Sequence, residues 1–175
     1  MARTQPQLTQ PNKPKNVKRD PVASGDRDAC VNRAAGHDFF LLERYEAGIA
    51  LRGTEVKSIR SGQANLKDAY GIIKDEELYL LNAHIGAYAP GAQFNHDTLR
   101  TRKLLVHHAQ ILKLHTAVQQ KGLTLIPTRM YFKNGRVKVE IAVAKGKQLW
   151  DKRETERSRT ADKEAREAIA RSRKS

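Results

Sequence analysis

The chain has 175 residues, room for one domain with extensions, and 39% hydrophobic against 30% charged residues fits a soluble fold with polar tails. Its 33 Lys and Arg against 19 Asp and Glu leave a charge of +14, which predicts a polyanionic partner. Apolar runs such as FFLL and GIAL fall far short of the roughly 20 residues of a bilayer span and no signal-peptide h-region opens the chain, so no membrane partner and a cytoplasmic location are expected.

The single cysteine, Cys30, excludes an internal disulfide and offers no zinc spacing. Residues 1–30 hold 6 basic and 3 acidic groups and residues 151–175 hold 9 and 6, so the stretch between carries 18 and 10. The folded part is itself basic, and its own surface must face the polyanion.

In chain order, residues 1–30 contain four of the six prolines without apolar periodicity and are expected to be a disordered lead-in. DFFLLERY and AGIALRG suggest two short strands joined by a tight turn at Glu46 to Gly48. GTEVKSIRSG predicts a two-turn helix with Thr54 as N-cap, Glu55 in the first turn and Gly62 as the stop. AYGIIKDEELYLL suggests a hairpin about KDEE. APGAQFNHDTLRTR is expected to be a long loop, with His96, Arg100 and Arg102 beside Phe94 as a candidate contact surface. KLLVHH predicts a short strand and AQILKLHTAVQQKG a helix ending at Gly122. LTLIPTRMYFKNGRVKVEIAVAKG alternates about Asn134 and Gly135, the strongest hairpin signal present.

Short antiparallel strands with few helices predict a mainly β fold, a small closed barrel of OB type over residues 31–149. After Trp150 the chain changes character. Residues 150–175 have one sizeable aliphatic side chain, Ile169, and neither Pro nor Gly, so this charged tail is expected to be disordered when free and helical when bound.

The six histidines form no metal-ligand pattern, since His107 and His108 would point to opposite faces of a strand and no HExxH occurs. No phosphate-cradling glycine loop or nucleophile elbow is present, so neither cofactor nor enzyme activity is expected. The positive signal is basic groups set among aromatic ones. Arg129, Lys133, Arg136, Lys138, Lys145 and Lys147 lie near Tyr131, Phe132 and Trp150, a mixture suited to phosphate contact and base stacking. One of Tyr131 and Phe132 is expected to fill the barrel, whereas Trp150 either stacks on a base or caps the barrel.

The segments NRAAGHDFF, YEAGIALRGTEVKSIRSGQANLKDAY, LNAHI, FNHDTLRTRKLL, GLTLIP, YFKNGRVKVEIAVAKGK and DKRE resemble, in order, the small protein B family, the SsrA-binding proteins of bacteria. The resemblance runs from about Asn32 to Arg153. It implies an OB-type barrel that binds the tRNA-like domain of transfer-messenger RNA and, with elongation factor Tu, delivers it to ribosomes stalled without a stop codon. It also implies that no reaction is catalysed and that the tail becomes helical in the empty mRNA channel of the small subunit, against its rRNA.

On that resemblance the RNA-binding candidates are Asn32, Arg33, Glu55, Lys57, Asn65, Leu105, His107, Lys133, Lys138 and Lys145. Glu55 would accept hydrogen bonds from base or ribose groups, because a carboxylate repels phosphate. The ribosome-contacting candidates are Lys147, Trp150, Asp151, Lys152, Arg153, Arg159, Lys163, Arg166 and Ile169. Two positions depart from the family: Gln148 replaces a frequent lysine, and Trp150 replaces a frequent His or Tyr, keeping a stacking surface without a titratable proton. A generic basic OB-type protein of ribosome or nucleoid and a nuclease of scattered His and Lys residues are the alternatives.

Overall fold

Alternating apolar and polar residues form strands wherever one face can be buried. A computed structural model describes residues 27–89 and 95–172. They form, in chain order, β1 (Arg27–Val31), α1 (Ala35–Asp38), β2 (Phe39–Ile49), α2 (Gly53–Arg60), β3 (Ala64–Asn65), β4 (Tyr70–Lys74), β5 (Glu77–Leu81), β6 (His84–Ile85), β7 (Arg102–Leu105), α3 (His108–Lys121), β8 (Thr124–Lys133), β9 (Arg136–Gly146) and α4 (Leu149–Ser172).

Strands β4, β5, β7, β2, β9 and β8 pair in that order, all antiparallel, and β8 returns to β4. This closed, OB-like ring matches the expected fold class. It closes at Gly71 opposite Leu125, where a Cβ on Gly71 would lie 2.9 Å from the leucine Cβ. Only glycine lets the two backbones approach without a shift. Both expected hairpin turns after the second helix occur: Asp75 and Glu76 (φ 50° and 56°), and Asn134 and Gly135 (φ 49° and 73°), take left-handed conformations in two-residue turns.

The core is the ring interior. On β9, Val137, Val139, Ile141 and Val143 alternate inward to meet Leu78, Leu80, Leu104, Leu125 and Met130, while Ile59 from α2 and Leu114 from α3 enter the same cluster. Ala142 and Ala144 on the opposite face of β9 are buried too. Ala144 joins Ala35 and Ile126, with Phe39 and Leu41 packed against them, in a second small core beneath α1.

Several expectations change. The segments before and after Glu46 are one strand, β2, bent by an irregularity between Leu41 and Arg44, with no hairpin. Gly48 misleads as a turn signal because it serves close approach instead: it faces Leu105, and a Cβ there would lie 3.2 Å from the leucine Cβ. The sheet starts at Arg27, inside the segment expected to be lead-in, because β1 pairs with the end of β8 beyond the reach of β4. Residues 1–26 and Phe94 lie outside the described residues.

Helix α2 begins after Arg52, with the Glu55 carboxylate accepting from the Arg52 N–H at 2.6 Å, so Thr54 is already helical. His107 and His108 are the N-cap and first residue of α3, so the strand geometry expected for them does not apply. Tyr131 is buried, and Phe132, half-buried, packs against the main core. The tail is helical from Leu149, and a 24-residue helix spans about 36 Å.

Candidate nucleic-acid interface

Antiparallel pairing puts alternate residues of β7 on opposite sides of the ring wall. Leu104 points into the core while Leu105 stays 55% exposed. The chain then turns into α3, leaving an open groove lined by Leu105, Val106, His107, Gln110 and Ile111, with Lys138 brought from β9 and Glu46 from β2. Lys103 pairs with Glu77 on its rim, and Lys133 and Lys138 approach Glu46 at 2.9 and 3.6 Å. The fold thus gathers Leu105, His107 and Lys138, with Lys133 joined through Glu46.

Glu46 also accepts the Tyr131 hydroxyl at 2.5 Å. Hydrogen bonds from Tyr131 and Lys133 hold its carboxyl below the ordinary glutamate value. Burial and the Glu46 bond push the Tyr131 phenol up. Glu46, Lys103 and Gln110 are groove residues that sequence reasoning missed. For Glu46, position on the outward face of β2 would have sufficed, had β2 been read as one strand.

A second open depression is lined by β1 and the turn after it, with Asn65 and Lys67 on its far side. Arg33, Asn65 and Lys67 are exposed there. The Asn65 Oδ1 accepts from the Lys67 N–H at 2.9 Å. Asn32 is buried: its amide donates to the carbonyls of Leu66 and Pro127 at 2.9 and 3.0 Å, and its Oδ1 accepts from the Ala35 N–H at 3.2 Å. Its side chain braces α1 from inside. Lys57 lines neither depression; its Nζ stands 5.2 Å over the Tyr88 ring. Lys145 is exposed on β9 opposite Phe40 of β2.

Glu55 departs most from expectation. Its side chain is 0% exposed, Oε1 accepts from Arg100 Nε and Arg102 Nε at 2.9 and 2.8 Å, and Oε2 accepts from Arg100 and the Arg52 N–H at 2.6 Å each. Burial alone would raise its pKa, but the hydrogen bonds from Arg100, the Arg52 N–H and Arg102 outweigh it and hold the carboxyl below its ordinary value. All four acceptor positions are filled, so no oxygen is left for a base or ribose in this structure.

Of the loop residues expected to form a contact surface, His96 and Arg102 are buried and Arg100 is turned onto Glu55. Arg102 is fully buried and donates to the carbonyls of Ala83 and Arg100 at 2.6 and 2.9 Å. The buried His96 bridges Thr54 Oγ1 and the Ile85 carbonyl at 3.0 and 3.1 Å. The long polar loop is where a buried arginine finds its carbonyl acceptors.

At the tail junction, Lys147 donates to the Gly36 carbonyl at 3.0 Å and to Thr155 Oγ1 at 3.3 Å. Asp151 caps α4 by accepting from the Gln148 N–H at 3.0 Å, and Lys152 pairs with Asp38 at 2.8 Å. Trp150 is 62% exposed and donates to Gln148 Oε1, so it does not cap the barrel. Arg153, Lys163, Arg166 and Ile169 are exposed along α4, with Lys163 3.9 Å from Glu167. Arg159 lies on the same helix.

Among the described residues no group of His, Cys, Asp and Glu could hold a metal, and no helix is long and apolar enough to cross a membrane. The arrangement offers lysines, an exposed leucine and the His107 imidazole around open grooves, which suits phosphate contact and stacking.

Comparison with known proteins agrees with these features. An SsrA-binding protein of Koribacter versatilis (strain Ellin345) is 75% identical over 162 residues, covering 93% of each chain. An SsrA-binding protein of Desulforudis audaxviator (strain MP104C) is 52% identical over 139 residues, covering 79% of this chain and 91% of the relative. A chain in the solved structure described as "tmRNA-SmpB: a journey to the center of the bacterial ribosome" superposes with a TM-score of 0.59 at 45% identity, covering 71% of this chain and 91% of that one. The family model for SmpB protein matches residues 29–171, from the first strand through nearly all of α4, and the chain therefore belongs to the SmpB family.

Proposed function

We propose that this protein binds the tRNA-like domain of transfer-messenger RNA (SsrA RNA) and carries it to stalled ribosomes in trans-translation, catalysing no reaction itself. The carrying observation is 75% identity, over 93% of both chains, to a protein named for SsrA binding. The groove beside β7 and α3 supports it physically: Leu105 and His107 offer apolar and ring contacts while Lys133 and Lys138 offer charge. Arg33, Asn65 and Lys67 form a second contact patch, with Lys57 and Lys145 adding charge from α2 and β9. Asn32 and Glu55 serve RNA binding from behind, by holding α1 and α2 in place. Delivery involves elongation factor Tu, and α4, carrying Trp150, Arg153, Arg159, Lys163 and Arg166, enters the empty mRNA channel against small-subunit rRNA, in the cytoplasm.

A gel shift with transfer-messenger RNA against bulk tRNA tests the reading. Selective retention of the first is expected; equal retention would favour a generic basic OB-type protein, and degradation a nuclease. For the tail, Ile169→Pro is expected to leave this gel shift unchanged and to abolish peptide tagging on stalled ribosomes, because an interior proline costs a helix about 3 kcal/mol. Wild-type tagging by that variant would reduce the tail to a solvated appendage.

A further inference from the structure

The groove beside β7 and α3 differs in charge from the chain around it. The chain carries +14, yet the groove lining sets three carboxylates, Glu46, Glu76 and Glu77, against two lysines, Lys103 and Lys138. Strand register shows how they pair. Alternate residues share one side of a strand, which puts Glu77 with Tyr79 on β5, and pairing sets Lys103 of β7 opposite Tyr79. The Tyr79 hydroxyl donates to one oxygen of Glu77 at 2.6 Å, and the Lys103 ammonium donates to the other. The same set recurs on the other flank of Leu105, across β2. There Lys138 of β9 lies opposite Tyr131 of β8, the Tyr131 hydroxyl donates to Glu46 at 2.5 Å, and Lys133 and Lys138 approach that carboxylate. Two Tyr–Glu–Lys sets therefore flank one exposed leucine.

We propose that Glu77 is a specificity-determining residue: it withholds Lys103 from phosphate unless the RNA also brings hydrogen-bond donors to the carboxylate, so the groove takes unpaired nucleotides with free amino or imino groups and discriminates against paired ones. The pair is exposed, Lys103 at 43% and Glu77 at 38% of the side chain, so it is weak enough to open. A phosphate that takes Lys103 leaves an unneutralised Glu77 beside its own negative charge. Glu77 does not escape by protonation, because the hydrogen bonds from Lys103 and then Tyr79 hold its carboxyl below the ordinary glutamate value. An unpaired base meets the same carboxylate as a donor, and Leu105, Val106 and Ile111 offer apolar surface to a ring that has left its stack. In a duplex the amino and imino groups are committed to pairing, and the backbone leads.

The inference rests on the reading of this groove as an RNA face, and its test separates the two. Glu77→Gln keeps an acceptor for the Tyr79 hydroxyl and removes the charge that holds Lys103. The full chain, with and without this change, is titrated with a fully base-paired RNA duplex and with the tRNA-like domain across a salt series. For the duplex, Glu77→Gln should raise affinity about fivefold at about 0.1 M salt and steepen the log-log salt slope by about 0.7 to 0.9, as one recruited phosphate requires. Selectivity for the tRNA-like domain over the duplex should fall by a similar factor. In a Lys103→Gln background, adding Glu77→Gln should produce neither change, because no lysine is left to release.

A duplex slope that does not move, a gain that persists without Lys103, or a gain for the tRNA-like domain as large as that for the duplex overturns the role of Glu77. The second of these outcomes would reduce the effect to a general loss of negative charge. If the unsubstituted chain holds duplex and tRNA-like domain equally, the proposed function falls, and the duplex slope still decides whether Glu77 withholds Lys103. If the unsubstituted chain is selective and stays equally selective after Glu77→Gln, the role of Glu77 falls alone.

Discussion

Glu55 on α2 and Glu46 on β2 are each held by two cations, yet Glu55 has lost all contact with water whereas Glu46 keeps 38% of its side chain exposed. Removing two charges from water is costly, so the buried set survives only because every acceptor on Glu55 is filled and Arg102 has carbonyl partners besides. In Glu46 the same pairing occurs in water, where it is worth little and can be exchanged for another anion. The contrast separates a residue that holds the fold from one that stays available at the surface of the candidate groove.

The largest effect should come from breaking the buried set. Arg102→Met removes one of the two donors to Glu55 Oε1 and strands the Ala83 and Arg100 carbonyls, and is expected to cost about 3 to 5 kcal/mol in urea unfolding at pH 7. Because the Glu55 carboxyl is held below its ordinary value, its stabilisation is present above that value and is lost as pH falls through the depressed one. Acid unfolding should therefore be less steep in Glu55→Gln, which has no carboxyl to protonate, than in the unsubstituted chain. An unchanged acid limb would mean that Glu55 does not carry the linkage.

The barrel was legible because each of its signals is local. Asn134-Gly135 and the KDEE turn dictate hairpins through φ, and Gly122 ends α3 at φ 59° as its position after an apolar-periodic run implied. The unity of β2 was not legible, since Gly48 looks the same in sequence whether it turns a chain or admits Leu105. Nor was the fate of Arg100 and Arg102, because polar residues in a long loop read as a contact surface until a buried carboxylate is seen to collect them. In the candidate groove Leu105, His107 and Lys138 lie together, with Lys133 joined through Glu46, while Asn32 and Glu55 turn out buried. The contact between His37 on α1 and Glu156 on α4 joins residues 119 apart, and no local pattern could foretell it.

A middle-sized effect is available on α2 itself, where one polar side chain is the opposite of Glu55. The Ser58 hydroxyl is buried and has no hydrogen-bond partner among the described residues. A buried donor left unmade costs about 1 to 3 kcal/mol, so Ser58→Ala, which removes it without opening a large void, should stabilise the fold by about 1 kcal/mol. Thermal melting decides it, and a loss of stability would place an unseen partner at that hydroxyl.

The smallest change in stability is expected at Glu46, and it carries the functional half of the comparison. Glu46→Gln keeps an acceptor for the Tyr131 hydroxyl but removes the negative charge that competes with phosphate for Lys133 and Lys138. Stability should move by about 0.5 kcal/mol or less, as for other exposed pairs. RNA binding should respond more. With the carboxylate gone, each lysine that turns to a phosphate releases counterions, so the salt dependence of binding should steepen by about 0.7 to 0.9 in log-log slope per lysine recruited. The gain should be larger for bulk tRNA than for the tRNA-like domain, because phosphate contact is all that bulk tRNA offers this groove. Titrations of both RNAs across a salt series would read this directly. Unchanged slopes would mean that Lys133 and Lys138 do not meet phosphate, and would move the RNA face away from β8 and β9 toward the patch of Arg33, Asn65 and Lys67.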